Sequence, residues 1–220
     1  MNKTPVFALL LLLASCAQTP VLESQDASVT EGTPLQVQTH TIKLTGTDSV
    51  NVTPTESIKP QACYDMNGNG QCDDFRNNSI SARKLGVNAS SEVVYREKFS
   101  CRTAVPCNFS VTRSTGGTIT VTVNAEYTAP VASAGVTLQG SYTWNTQVGA
   151  SINLNPYTCA EYRVVMNYDN TRGDYSADFY EEGLIGTYGG VFIGRFNIPG
   201  KSWNVKRPTI ENKGFWSVRC

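Results

Sequence analysis

The sequence has little charge and almost no histidine. Asp, Glu, Lys and Arg make up 16% of its 220 residues, below the roughly 25% usual for soluble domains. The 18 basic and 18 acidic residues balance, so the chain lacks the positive face that nucleic-acid binding needs. His40 is the only histidine, which excludes a multi-histidine metal centre and leaves a Ser-His-Asp mechanism with a single candidate imidazole.

The chain also lacks an apolar run long enough to cross a membrane as a helix, which takes about 20 residues. Its apolar run, residues 6–13, is far shorter and follows Lys3. These features are typical of a secretory signal peptide, which we predict over residues 1–15.

The residues that end this run, Leu13-Ala14-Ser15-Cys16, resemble a bacterial lipobox. The resemblance implies cleavage before Cys16 and acylation of its thiol. Ala17 stands where an aspartate would resemble an inner-membrane retention signal, which favours the outer membrane of a diderm cell. We therefore expect an exported protein attached to the cell envelope through a lipid anchor, on its periplasmic or surface face.

The composition divides the rest of the chain into a tether and a domain. Residues 16–34 are rich in Ser, Thr, Gln, Glu and Pro, with few large apolar side chains, and predict a lipidated flexible tether. Residues 35–220 are long enough for one domain with a substantial core.

Alternating apolar and polar residues run through most of this domain. One face of a predicted strand carries Ile119, Val121, Val123 and Ala125, and its other face carries threonines. Similar runs recur to the C-terminus, separated by Gly, Asn and Pro, and they indicate many short strands in a sandwich or barrel. We predict an all-β fold, an antiparallel β-sandwich, with one helical turn or two near residues 79–85.

Six cysteines remain besides Cys16, an even number that predicts three disulfides in an exported chain. Six cysteines allow 15 connectivities. Proximity in the sequence favours Cys63–Cys72 and Cys101–Cys107, which leaves Cys159–Cys220. A metal-thiolate site is disfavoured because the chain has no Cys-x-x-Cys pair.

The segment between Cys63 and Cys72 carries a metal-ligand pattern. Oxygen-bearing side chains alternate and a glycine follows the third of them, as in the first part of an EF-hand loop. The pattern resembles the calcium loops of dockerin-type and Excalibur-type extracellular modules. The resemblance implies a structural calcium ion held by Asp65, Asn67, Asn69, Gln71 (through its backbone carbonyl), Asp73 and Asp74.

Two features weaken this pattern. Arg76 occupies the position of the bidentate glutamate of an EF-hand and cannot ligate a cation, so Asp74 would have to complete the shell. Asparagines replace two of the usual aspartates and lower the charge. The alternative is an Asn-Gly-rich surface turn held by a disulfide.

A stretch with almost no charge follows. Between Arg113 and Glu161 only Glu126 is charged, and small polar residues alternate with apolar ones. These Ser/Thr-rich strands resemble the stem region of aerolysin-like pore-forming proteins, and they are long enough to cross a membrane as strands. A strand pair in a soluble sandwich has the same composition.

Two further surfaces are candidates for function. Asp174, Asp178 and Glu181 belong to a carboxylate-rich region from which a glycan hydrolase needs two residues. Four tyrosines are candidates for a contact surface: Tyr162, Tyr168, Tyr175 and Tyr180.

We expect a lipid-anchored, non-enzymatic structural or binding subunit of a surface assembly, with an envelope protein or a glycan as its partner. The alternatives are an aerolysin-like pore-forming or membrane-interacting protein and a carboxylate-based glycan hydrolase.

Overall fold

The computed structural model describes residues 32–46, 63–181 and 190–220, which form an all-β structure. The predicted signal peptide, Cys16 and nearly all of the predicted tether lie outside these ranges. Ten strands lie within them: β1 Pro34–Thr41, β2 Asp73–Phe75, β3 Ser81–Ser100, β4 Cys107–Ser110, β5 Gly116–Thr120, β6 Thr122–Asn124, β7 Ser141–Asn145, β8 Ser151–Leu154, β9 Cys159–Glu181 and β10 Phe192–Val218.

Three of the strands are much longer than the short strands that the sequence predicts. β3, β9 and β10 contain 20, 23 and 27 residues, so β9 extends for about 75 Å at the usual rise per residue. Residues 169–174, near the middle of β9, are mostly polar. They continue the strand because β9 pairs along its length with β3 on one side and β10 on the other.

Gly173 allows β9 to continue at the position where the side chain of Trp203 packs directly over its backbone. It pairs with Trp203 of β10, whose indole ring occupies the space that a β-carbon on Gly173 would need. The Trp203 Nε1–H donates a hydrogen bond to the backbone oxygen of Asp174, 3.1 Å away. A glycine that resembles a turn signal is therefore a packing requirement of the long sheet.

The principal sheet is antiparallel, with strand order β1–β10–β9–β2. β3 also pairs with β9, and β6 also pairs with β10. Two small sheets, β4–β8 and β5–β7, complete the described strands. His40 is exposed on β1, opposite Glu211 of β10.

Two hydrophobic clusters lie along the long strands. The first contains Tyr162, Val164 and Met166 of β9, and the second contains Tyr175 and Phe179 of the same strand. Buried positions change from even to odd numbers between the clusters. Because successive side chains alternate between the faces of a strand, the clusters lie on opposite faces of β9.

The helix also differs from the prediction. A single 3-10 turn spans Asn77–Ser79, but no helix continues over residues 80–85, because β3 begins at Ser81, whose hydroxyl lies 2.9 Å from that of Ser176 on β9. Instead, α1 spans Thr128–Ser133, and its Val131 is buried. Pro130 is tolerated in this first turn, where a missing N–H costs little, and alanines favour the helix.

The structure contains the two disulfides that sequence proximity favoured and the third that they left over. They are Cys63–Cys72, Cys101–Cys107 and Cys159–Cys220. The third joins the start of β9 to the last residue, across 61 positions of sequence. The intervening residues 108–158 contain no cysteine, so no disulfide attaches them to the long sheet.

Candidate functional site

The low-charge segment, residues 116–145, folds with its apolar side chains inward, and we call it the hairpin segment. Ile119, Val121 and Val123 are half-buried against the two clusters, while Thr118 and Thr122 are exposed. On the return strand, Leu138 and Trp144 are buried and Thr143 is exposed. The hydroxyls of Thr118 and Thr143 lie 3.2 Å apart on the outer face. The segment therefore has one apolar and one hydroxyl-bearing face.

The pairing of β5 with β7 defines the register of this segment. Gly116 lies opposite Asn145 and Thr120 opposite Ser141, and the Val121 N–H donates to the backbone oxygen of Gly140. Continued in the same register, the pairing would reach Ala125 opposite Val136. The strands 117–125 and 136–144 would then have about nine residues each, close to the length that a membrane-crossing strand needs.

Such a continued hairpin would separate its apolar and polar side chains onto opposite faces. In this register, Val123 would lie opposite Leu138, on the same face as the observed pair Ile119 and Tyr142. The other face would carry only hydroxyl and amide side chains: Thr118, Thr120, Thr122, Asn124, Thr137, Gln139, Ser141 and Thr143.

In the structure the hairpin stops short because β6 pairs elsewhere. Thr122, Val123 and Asn124 lie opposite Lys206, Val205 and Asn204 at the edge of β10. Residues 122–124 therefore have two possible partners: β10, with which they pair, and residues 137–139, with which the β5–β7 register would align them.

A buried carboxylate anchors the return strand to the long sheet. The Tyr142 hydroxyl donates a 3.0 Å hydrogen bond to Glu211 Oε2, and the Lys213 Nζ lies 3.0 Å from the same oxygen. Glu211 is 1% exposed, and its Oε1 has no hydrogen-bond partner among the described residues. The Lys213 Nζ also donates to the backbone oxygen of Asn145, 3.3 Å away. Sequence reasoning missed Glu211, because a single acidic residue in a polar run gives no sign of burial.

Burial, together with the hydrogen bond to Glu211 and the charge of that carboxylate, raises the pKa of Tyr142 to about 12. The phenol therefore stays protonated and continues to donate to the carboxylate at neutral pH. The hydrogen bond joins the hairpin segment to β10 with a charge-assisted contact, of a kind that is stronger than a neutral one.

The one charged residue of the hairpin segment lies near its tip. Glu126 Oε2 accepts a hydrogen bond from the Lys201 Nζ at 2.6 Å, and both side chains are partly exposed.

No helix within residues 32–46, 63–181 and 190–220 is long and apolar enough to cross a bilayer.

The predicted metal loop folds around Asp65. Its Oδ1 accepts hydrogen bonds from the backbone N–H groups of Gly68 and Asn69, at 2.6 and 3.0 Å, and its Oδ2 accepts from Gly70 at 3.0 Å. The side-chain oxygens of Asn67 and Asn69 accept from backbone N–H groups two residues later. Gln71 is exposed, and its N–H is one of these donors.

The two aspartates that follow the loop point to opposite faces of β2. Asp73 is 2% exposed and its Oδ2 accepts from the Met66 N–H at 2.6 Å. Asp74 is exposed, and its Oδ1 accepts from the N–H of Phe75. Of the six predicted ligands, the structure therefore brings Asp73 to the loop and places Asp74 away from it.

A residue outside the predicted ligand set reaches the loop from β9. Glu181 Oε1 accepts a 2.7 Å hydrogen bond from Asn69 Nδ2. Within the described ranges, no three His, Cys, Asp or Glu side chains converge as a metal-binding group. The loop instead combines carboxylate and amide oxygens, which are suitable donors for a hard cation.

The carboxylates of the glycan-hydrolase alternative are spread along β9 in separate contacts. Arg83 forms two hydrogen bonds with Asp174, and Arg195 forms one with Asp178. Asp174 and Asp178 are four residues apart on one strand, about 13 Å, more than the 6.5–9.5 Å typical of an inverting pair. A cavity of about 50 Å³ beside Lys213 and Phe215 is too small for a sugar ring. The geometry does not favour this alternative.

The tyrosines do not form the expected contact surface. Tyr162 and Tyr175 are 0% exposed and Tyr168 is 4% exposed, because the alternation of β9 turns them into the two clusters. Tyr180 is half-buried, with the Arg76 guanidinium 4.3 Å from the centre of its ring. Burial raises the pKa of Tyr162 and Tyr175, as expected for phenols inside a core.

Comparison with known proteins gives distant structural similarities. No family model matches the chain, and no curated protein matches it in sequence. Among solved structures, it is similar to the parasporin-2 toxin of Bacillus thuringiensis (13% identity, 63% of this chain and 69% of that chain covered, TM-score 0.23). It is also similar to the Cry23Aa1 and Cry37Aa1 binary complex (10%, 66% and 77%, 0.24).

A third similarity is to a non-toxic crystal protein of Bacillus thuringiensis (11% identity, 67% of this chain and 84% of that chain covered, TM-score 0.20). TM-scores in this range do not establish a common fold.

Proposed function

We propose that this protein is a membrane-interacting β-protein of the aerolysin-like type, in which the hairpin segment leaves the long sheet and enters a bilayer. The observation that carries the proposal is the β5–β7 register. Continued over residues 122–125 and 136–139, it would give a hairpin with an apolar face, on which only Tyr142 and Trp144 carry a polar atom, and an entirely polar face.

The apolar face of the hairpin segment can be shielded from water either in the folded chain or in a bilayer, which supports insertion. In the folded chain its apolar face is shielded from water by the two clusters. Lipid would shield the same face, because burial of apolar surface drives both states. The hydroxyl-bearing face needs polar contacts, which water or neighbouring hairpins supply, so the inserted form requires several copies. The low charge also favours entry, because a charged side chain at the centre of a bilayer is costly.

The attachment of the segment to the sheet is consistent with release. β6 contributes three paired positions to β10. The return strand is held by Tyr142, by the contact of Lys213 with Asn145 and by two backbone hydrogen bonds between Ser141 and Thr45. All of these contacts are non-covalent. The disulfides Cys101–Cys107 and Cys159–Cys220 lie outside the segment, so release breaks no covalent bond.

Dye release from vesicles tests the proposal. The purified protein is added to calcein-loaded vesicles of phosphatidylcholine and phosphatidylglycerol, and we expect release together with ring-shaped oligomers. The paired substitution Asn124→Cys and Asn204→Cys, at positions directly opposite in β6 and β10, would lock the segment to the sheet once oxidised. We expect the locked protein to fold normally and release no dye.

A second crosslink provides the control. Ser81 and Ser176 lie opposite each other in β3 and β9, with their hydroxyls 2.9 Å apart. The variant Ser81→Cys with Ser176→Cys adds a disulfide to the part of the sheet that stays in place, and we expect it to release dye like the unmodified protein. An inert, monomeric unmodified protein contradicts the proposal, and so does a locked variant that releases dye at the normal rate.

The proposed site of action is the cell envelope. We propose that the signal peptide directs export and that an acyl chain on Cys16 keeps the domain near a membrane. The three disulfides support an oxidising compartment, because such bonds rarely persist in the cytosol. A tethered domain would insert into the membrane that it is anchored to or into one that lies close by.

A further inference from the structure

One buried carboxylate oxygen beside the loop of Asp65 has no hydrogen-bond partner in the part of the chain that the structure describes. Asp73 Oδ2 accepts a hydrogen bond from the backbone N–H of Met66, which places this carboxylate at the base of the loop. Its Oδ1 is buried and has no hydrogen-bond partner among the described residues. Buried polar atoms are usually satisfied, so this oxygen indicates a missing positively charged or donating group.

The neighbouring strand places a second carboxylate beside it. Asp73 lies directly opposite Glu181 in the β2–β9 pairing, so both side chains are on the same face of the sheet. Like charges opposite each other destabilise a strand pair. Asn69 donates to Glu181, but an amide hydrogen does not neutralise a carboxylate.

No charged group of the described chain compensates for this site. Among the ion pairs of residues 32–46, 63–181 and 190–220, none includes Asp65, Asp73 or Glu181. The nearby cation of Arg76 lies over the ring of Tyr180. Tyr180 pairs with Asp74, on the opposite face of β2. The carboxylates of Asp65, Asp73 and Glu181 therefore have no cationic partner among the described residues, and a cation would have to draw them together, since they do not converge as a preformed metal-binding group.

We propose that this site binds a calcium ion, and that Glu181 of β9 is the ligand that completes it. The other ligands are the side-chain oxygens of Asp65, Asn67, Asn69 and Asp73, with the backbone carbonyl of Gln71. Glu181 takes the role that Arg76 cannot take in the loop sequence. Because Glu181 is the last residue of β9, the ion connects the Cys63–Cys72 loop to the end of the central strand.

The chemistry of the donors favours calcium. Carboxylate and amide oxygens are hard ligands, and calcium accepts six to eight of them in irregular geometry. The oxygens of Asp65 already accept backbone hydrogen bonds, but each has a further lone pair for a cation. Calcium would also replace the amide of Asn69 as the partner of Glu181. Magnesium, which requires a nearly ideal octahedron and retains its water, suits this partly exposed loop less well.

Calorimetric titration with calcium chloride tests the proposal. The purified full chain is first treated with a chelator and then titrated. We expect one calcium per chain, with a dissociation constant on the order of 10⁻⁴ to 10⁻³ M, as in extracellular modules. Glu181→Gln should weaken binding by about tenfold or more, because it removes one of three ligand charges. Unmodified protein that binds no calcium at 10 mM, roughly ten times the weakest affinity expected, overturns the proposal.

Matched variants distinguish a ligand from a structural residue. Asp74→Asn removes a carboxylate from the same strand but from its other face, and we expect it to bind calcium like the unmodified protein. Asp65→Asn, at an exposed loop position, should weaken binding without loss of β-structure by circular dichroism. If Glu181→Gln binds calcium normally, or Asp74→Asn weakens binding as much as Asp65→Asn, the assigned ligand set is wrong. Vesicle leakage is scored separately, because neither proposal depends on the other.

Discussion

Tyr142 of β7 donates its hydroxyl hydrogen to the buried carboxylate of Glu211 on β10, across 3.0 Å. This is the main polar contact between the return strand of the hairpin segment and the long sheet. The Lys213 Nζ lies 3.0 Å from the same carboxylate and also donates a hydrogen bond to the backbone oxygen of Asn145. Release of the segment must therefore leave a buried acid with one partner fewer.

Replacing Tyr142 by phenylalanine should destabilise the folded state. The ring still packs, but Glu211 loses a hydrogen bond in a buried site, which costs about 1–3 kcal/mol. Urea unfolding measures the change. Tyr157→Phe is the control, because Tyr157 is 68% exposed, and its free energy of unfolding should match that of the unmodified protein. On vesicles, Tyr142→Phe should release dye faster, and slower release would contradict the anchoring role of this contact.

Stability should also fall in alkaline solution. The pKa values of Tyr142 and Tyr168 are both raised to about 12, chiefly by burial, from an unfolded value near 10. Because the folded state holds these protons more tightly, their contribution is complete below pH 10 and is lost as the pH rises towards 12.

Urea midpoints measured between pH 8 and pH 11 test this dependence. The decline should begin near pH 10, as the unfolded tyrosines start to ionise. It should be shallower in Tyr142→Phe than in the unmodified protein, because one of the phenols with a raised pKa is absent. Equal slopes in the two proteins would count against the assignment to Tyr142.

Substitution of Gly173 by alanine should disrupt the middle of the long sheet. The added methyl group would meet the Trp203 ring and the backbone oxygen of Arg83, and overpacking of this kind costs about 1–3 kcal/mol or more. Gly86→Ala is the matched control on β3, where an added β-carbon meets nothing within 4 Å. Thermal unfolding should show a clear drop for Gly173→Ala only, and equal melting temperatures for the two variants would refute the packing argument.

Mass spectrometry of the natural protein tests the lipid anchor. We expect a mature chain that begins at Cys16 and carries acyl groups on that residue, as the sequence Leu13-Ala14-Ser15-Cys16 implies. Cys16→Ser should give a chain without fatty acid that no longer remains with the membrane fraction. A mature natural protein without acyl groups would remove the anchor from the proposal while leaving the vesicle test unaffected.

Alternation of apolar residues predicted much of the core. The inward positions of the hairpin segment, such as Ile119, Val121 and Val123, follow directly from the two-residue period. The same pattern did not predict strand length. Polar residues around Gly173 resemble a turn in isolation, and they continue the strand only because two long neighbours satisfy their backbone groups.

The sequence predicted only those residues of the metal loop that lie close together along the chain. A loop motif within a few residues of sequence identified Asp65, Asn67 and Asn69, which the structure places in one loop. Glu181 is separated from Asn69 by 112 positions, and no local pattern relates them. Asp74 was expected to join the loop, but strand alternation turns it to the face opposite Asp73.

The sequence by itself determined the all-β character, because the two-residue period is a local property of the chain. Sequence proximity also favoured the partners of two disulfides, and these left Cys159 and Cys220 for the third. Tertiary structure alone decided which strands became long, where β6 pairs, and that Glu181 and Glu211 meet Asn69 and Tyr142. These outcomes depend on contacts between residues far apart in the chain, and their stability comes from burial and pairing that exist only after the sheet has formed.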